Sequence, residues 1–229
     1  MVSSVRLTVI NDNVPGEGLL NEWGWSVLVD LERLRFLFDA DSDPEVLRVN
    51  SRRLGIDLSE VDFAVLSHWH WDHYGGFKYL GEVAPGLTVY VPPGDTAMIS
   101  EWGLKPVVIN EPTKIAPDIY TTGPVGVIME QAVGISIDSV GLVVLVGCSH
   151  PGVNVLARKL REFTGEKVYL VVGGFHSPPR EALDEVAEIA DFVSPAHCSG
   201  DAAKEYVRSK YPHKYVEVKT GSVIEIPLS

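Results

Sequence analysis

Four side chains of metal-ligand type stand within six residues of this sequence, in His68-Trp69-His70-Trp71-Asp72-His73. The segment VDFAVLS (61–67) before them reads as a buried strand, and Gly75-Gly76 after them lets a helix start close to a sheet. If the backbone stays extended, residues 68, 70 and 72 point one way and His73 falls on the opposite side at the turn. Imidazole together with carboxylate suits zinc, iron or manganese, and one such motif can serve two ions. The plain alternative is a polar patch on a packed surface. It would bury four ligand-type groups without a metal, which is costly unless an extensive hydrogen-bond network satisfies them.

The elements around this cluster alternate. VRLTVI (5–10), WSVLVDL (25–31) and LRFLFDA (34–40) read as neighbouring strands, and the Asn-, Asp-, Pro- and Gly-rich segment 11–24 as a long loop at their ends. Ser42 or Asp43 can cap a helix that starts at Pro44 and stops at Gly55. Further on, GLVVLVGCSH (141–150), KVYLVVGGFH (167–176) and IADFVSPAHCSG (189–200) are three hydrophobic strands that each run into a histidine, with helices expected at roughly 152–164 and 179–190. No linker or internal repeat interrupts the chain, so residues 1–229 are expected to form a single domain.

Composition narrows the partners. Hydrophobic residues make up 45% of the chain, enough for a layered core. The formal charge of −12 makes nucleic acid a poor partner. No run of roughly 18 apolar residues of the kind that spans a membrane occurs, so a cytoplasmic protein acting on a small molecule is expected, with its oligomeric state open. Cys148 and Cys198 form no CxxC pair; both read first as small buried residues at strand ends, with thiolate ligation as the alternative.

SHWHWDHYGG resembles the HxHxDH signature of the metallo-β-lactamase superfamily, and Asp39 in FLFDAD resembles its upstream aspartate. The resemblance implies an α/β fold, an αββα sandwich of two mixed β-sheets with outer helices, and two divalent metal ions. Zinc is the first choice, with manganese or iron compatible. It also implies that His68 and His70 serve one ion and Asp72 and His73 the other, with Asp39 orienting His68 or His70 from behind. His197, in SPAHCSG, resembles the family's final histidine and would complete the second ion's set. His150 aligns in two ways, as the middle histidine or at the bridging position, and is a ligand in either. The first alignment puts His176 near the bridging position. The second puts Glu130 where the middle histidine would be, and no bridging aspartate is evident.

The ordered segments NDN (11–13), EWGWS (22–26), EQAV (130–133), GCSHPGV (147–153), GGFH (173–176) and PAHCSG (195–200) are similar to a subgroup of that superfamily. This subgroup contains the archaeal 7,8-dihydropterin-6-methyl-4-(β-D-ribofuranosyl)aminobenzene-5′-phosphate synthase of methanopterin biosynthesis. Three functions follow as expectations. The first is hydrolysis of an ester, phosphoester or related small molecule by a metal-bound water or hydroxide, with Asp72 orienting the water and His176 donating a proton to the leaving group. The second is a dihydropterin synthase-like transfer from a pterin diphosphate. The third is a metal-based redox or sensing module. Candidate substrate contacts are Asn13, Glu22, Trp71, Glu130 and Cys148, with the tryptophans Trp23, Trp25 and Trp69 able to stack on a flat ring or to serve only as wall packing.

Overall fold

The computed structural model describes residues 2–228. Two compact units divide the chain: residues 4–109 with 219–228, here the N-terminal unit, and residues 110–218 with Val2 and Ser3, the C-terminal unit. In chain order the N-terminal unit contains β1 (Val5–Asn11), β2 (Ser26–Leu31), β3 (Leu34–Phe38), α1 (Pro44–Arg53), β4 (Phe63–Val65), α2 (Trp71–Tyr74), α3 (Phe77–Val83), β5 (Thr88–Val91), α4 (Ala97–Glu101) and β6 (Lys105–Val108). The C-terminal unit follows with β7 (Thr113–Ala116), β8 (Ile119–Thr121), β9 (Val133–Ile137), β10 (Gly141–Val146), α5 (Val153–Thr164), β11 (Val168–Gly174), α6 (Arg180–Ile189), β12 (Ala190–Ala196) and α7 (Asp201–Lys210). The chain then returns to the N-terminal unit as β13 (Val223–Ile226).

Each unit has one mixed sheet, as expected from the sequence. The N-terminal sheet runs β13-β1-β2-β3-β4-β5-β6, antiparallel up to β3 and parallel beyond it. The C-terminal sheet runs β7-β8-β9-β10-β11-β12, antiparallel up to β10 and parallel beyond it. The change of sense has a simple cause: antiparallel neighbours can be joined by a turn or loop at one end, whereas parallel neighbours need a crossover, here through α1, α2 with α3, α4, α5 or α6. Apolar faces of the helices cover each sheet. Leu47, Phe77 and Leu80 pack with Leu28, Leu37 and Ala64 in one unit, and Val153, Leu156, Leu160 and Val186 pack with Leu142, Val144 and Val171 in the other.

Helix α1 begins where expected, with Asp43 accepting from Glu45 N at 2.8 Å and Pro44 at the first helical position. One local expectation fails. The backbone does not stay extended through residue 72: His70 N donates to His68 O at 3.0 Å, and α2 starts at Trp71. Asp72 and His73 therefore sit on a helical turn. That turn docks against the loop after β3, where a Cβ on Gly75 would lie 2.0 Å from Ser42 O and one on Gly76 1.8 Å from Ala40 O. Gly75 and Gly76 thus do permit the close approach.

The β3–α1 loop is itself pinned by a buried aspartate. Asp41 Oδ1 accepts from Asn11 Nδ2 at 3.1 Å and from Ser42 N at 2.6 Å, while its Oδ2 is buried with no hydrogen-bond partner. Burial pushes this carboxyl up to about 7 against the opposing bonds from Ser42 and Asn11. Because the folded value lies above the unfolded one, the folded state holds this proton more tightly. Stability from this group is full below about pH 4 and is lost as pH rises to about 7, a loss on the order of 4 kcal/mol at most. Asp41→Asn, which cannot ionise, is expected to raise the urea midpoint at pH 8, with the gain shrinking steadily as the measurement moves toward pH 4.

Candidate metal centre

The carboxyl ends of the parallel strands carry nearly every donor read from the sequence, the location that open α/β sheets use for ligands. In the N-terminal unit, β3 leads into Asp39 and β4 into Ser67 and His68. Asp39 is fully buried, and φ is +54° there, a left-handed conformation that is strained for a residue with a side chain. Its Oδ1 accepts from Ser67 N at 2.7 Å; its Oδ2 accepts from Ser67 Oγ and from His73 Nδ1, each at 2.7 Å. Ser67 gives its one hydroxyl proton to Asp39, so its oxygen accepts from His68 Nδ1 at 2.9 Å. Asp39 thus holds His73 directly and His68 through Ser67.

These bonds fix tautomers. With Nδ1 of His68 and of His73 protonated, each presents an Nε2 lone pair. His68 Nε2 lies 3.0 Å from His70 Nδ1, and His73 Nε2 lies 3.6 Å from Asp72 Oδ2. Two ligands at 2.0–2.1 Å from a tetrahedral zinc are separated by about 3.3 Å, so both pairs have the spacing that an ion requires. His68 also packs against His73, with ring centroids 4.2 Å apart, so the four side chains form one cluster. Trp23 Nε1 donates to Asp72 Oδ2 at 3.0 Å and steadies that carboxylate, a contact invisible in the sequence.

The C-terminal unit repeats the device. Glu130, fully buried, accepts from the backbone N–H of Cys148 (2.8 Å), Ser149 (2.7 Å) and His150 (2.8 Å), and from His150 Nδ1 at 2.9 Å. It therefore orients His150 and leaves its Nε2 outside this contact, so Glu130, expected as a substrate contact, is engaged instead in holding the 148–150 turn. His176 follows β11 and His197 follows β12, both with positive φ (51° and 45°). The His150 and His176 rings lie 4.4 Å apart, centroid to centroid. Gly174 has no room for a Cβ, which would stand 2.4 Å from Gly147 O and 2.8 Å from Cys198 Sγ. Cys148 is buried. The Cys198 thiol is drawn down to about 6 by its hydrogen bond to the Cys148 side chain, helped by His197 and His176 and opposed by burial.

The other candidates separate. Trp71 is 51% exposed, with Tyr74 and Trp102 edge-on at 5.2 and 6.4 Å, an aromatic cluster that includes two residues, Tyr74 and Trp102, not singled out in the sequence. Trp23 is exposed as well, whereas Trp25 is wholly buried and Trp69 bonds Pro92 O at 3.0 Å. Asn13 Oδ1 accepts from Gly24 N at 3.2 Å, and Asn11 Nδ2 donates to Glu22 O at 3.0 Å. Both asparagines therefore staple the 11–24 loop, while the Glu22 side chain is exposed.

With this geometry in view, the sequence comparison is decisive. The profile of the metallo-beta-lactamase superfamily matches residues 24–158, more than half of the chain. The chain belongs to the metallo-β-lactamase superfamily. As a member of it, the chain is similar to a metal-dependent hydrolase of the β-lactamase superfamily of known structure, with a TM-score of 0.83 and 26% identity over 97% of this chain and 99% of that one. It is 23% identical to the 7,8-dihydropterin-6-methyl-4-(β-D-ribofuranosyl)-aminobenzene-5′-phosphate synthase of Methanocaldococcus jannaschii, over 98% of this chain and 97% of that protein. It is also 27% identical to an uncharacterized protein of the same archaeon, over 96% of this chain and 100% of that protein. Metallo-β-lactamase membership implies divalent metal binding, and the donor sets of both units fit it.

Glu130→Gln replaces an acceptor of buried N–H groups with a partial donor. It is expected to destabilise the protein by about 1–3 kcal/mol in urea denaturation. It should also shift the His150 ring resonances in the nuclear magnetic resonance spectrum, an effect that an exposed Glu22→Gln control would not produce.

Proposed function

We propose that this chain is a metal-dependent hydrolase of a small ester or phosphoester, working as one domain with two divalent ions, zinc first. The ligands we assign are His68, His70, Asp72 and His73 in the N-terminal unit and His150 and His197 in the C-terminal unit. The observation that carries the reading is the paired spacing of ligand atoms in residues 68–73, with the tautomers of His68 and His73 set by Asp39. When bound, such a pair supplies Lewis acidity and a water acidic enough to act near neutral pH.

The remaining work falls to the chain. Asp39 and Glu130 keep the imidazoles of His73 and His150 in the ligating tautomer. One oxygen of Asp72 accepts from Trp23, which limits its rotation and leaves the carboxylate aimed for ligation and for orienting the attacking water. Trp23 and Trp71, both more than half exposed, offer apolar area to a substrate ring.

A second reading is a dihydropterin synthase-like transfer, favoured by one observation: the similarity to the M. jannaschii synthase runs through nearly the whole of both chains. A substrate panel of phosphodiesters, aryl esters and a hydroxymethyl-dihydropterin diphosphate separates the two.

Protein purified without added metal is expected to hold about two equivalents by plasma mass spectrometry, falling in His150→Ala and in His197→Ala. Asp72→Asn is expected to lower kcat by about 100-fold or more on the preferred substrate. Full turnover by an Asp72→Asn variant that keeps its metal would remove Asp72 from the mechanism.

A further inference from the structure

The C-terminal unit holds a donor cluster that the paired-ion reading does not use. Cys148, His176 and Cys198 come just after β10, β11 and β12, three neighbouring strands that run parallel, so each strand end delivers one donor. One ligand atom of each residue lies within 4.8 Å of the other two. Around a tetrahedral zinc, two sulfurs stand about 3.8 Å apart and a sulfur and a nitrogen about 3.5 Å, so small side-chain rotations close this cluster onto an ion.

The backbone beneath it is held from several sides. Glu130 accepts from Cys148 N at 2.8 Å, and Ser177 N donates to Cys198 O at 3.2 Å. His176 and Ser177 are both left-handed, with φ of 51° and 49°, strain that the surrounding bonds must sustain and that clusters at ligand clamps. At Gly174 a methyl group would press on Cys198 Sγ at 2.8 Å, so only glycine leaves this sulfur its place. The chemistry is selective. Two thiolates and a neutral imidazole balance a divalent charge, which suits a site where Cys148 is buried and Cys198 partly so, and sulfur selects soft or borderline cations over magnesium or calcium.

We propose that Cys148, Cys198 and His176 form a further metal site, for a thiophilic divalent cation of the zinc and cadmium type. It draws on none of the six ligands assigned above and on no residue of the N-terminal unit. Three protein ligands leave the fourth position to a solvent molecule, which the exposure of His176 allows. His176 then acts as a ligand, in place of the proton donor expected from the sequence.

The test uses the full chain carrying His68→Ala and His70→Ala, stripped of metal, reduced, and titrated with Cd²⁺. Thiolate ligation gives an ultraviolet charge-transfer band that imidazole and carboxylate ligands do not. The expected result is one saturable equivalent of that band, abolished by Cys198→Ser, and shifted by at least tenfold to higher Cd²⁺ by His176→Ala, with circular dichroism confirming that each variant is folded. Absence of the band, or a band unchanged in Cys198→Ser, overturns the site. So does thiol titration showing that Cys148 and Cys198 have joined in a disulfide before cadmium is added. The two readings fail separately: the band can persist in a chain that hydrolyses nothing, and it can be missing from a chain that keeps two ions and full turnover.

Discussion

A carboxylate buried at a strand end is tolerable only where several N–H and O–H groups take up its charge, and in each unit that requirement arranges the donors around it. Asp39 accepts from Ser67 N, Ser67 Oγ and His73 Nδ1; Glu130 accepts from three consecutive backbone N–H groups and from His150 Nδ1. In both cases the imidazole is locked with Nδ1 protonated, leaving Nε2 as a lone-pair donor. Without the two acids the same histidines could choose the other tautomer, and Nε2 would carry the proton in place of the lone pair.

The sheets explain why those acids sit where they do. Each sheet changes from antiparallel to parallel pairing, at β3 in one and β10 in the other, and the acids serve the loops that leave the strands at the change and just beyond it. Crossover helices send every parallel strand in the same direction, so successive strand ends deliver functional side chains to one edge of their own sheet. Tight loops are needed there, and the left-handed residues Asp39, Asp41, Ser149, His176, Ser177 and His197 gather at these ends. The parallel between the units is one of topology and of device. It leaves no trace as a sequence repeat, because Asp39 and Glu130 differ in type and in their distance along the chain from the histidine each one holds.

Local patterns made much of this legible. The HxHxDH spacing identified His68, His70, Asp72 and His73, and hydrophobic runs ending in histidine located β10, β11 and β12. Pro44 and Gly55 bounded α1 to within two residues. Other features were not legible locally. Asn13 and Glu130 have residue types that serve a pocket or a loop equally well, and their hydrogen bonds to Gly24 N and to the 148–150 backbone appear only in the fold. Extended alternation through Asp72 was a reasonable reading of 68–72, but docking of α2 on the β3–α1 loop overrode it.

Chemistry and periodicity are properties of neighbouring residues, so the sequence by itself determined the donor types on offer, the alternation of strands and helices, and the superfamily. How His73, His150 and Asp72 are held depends on partners 20 to 49 positions away: Asp39, Glu130 and Trp23. Those distances carry no periodic signal. Only the tertiary structure could decide them, because a buried charge recruits whatever donors the fold brings within hydrogen-bond reach, wherever they stand in the chain.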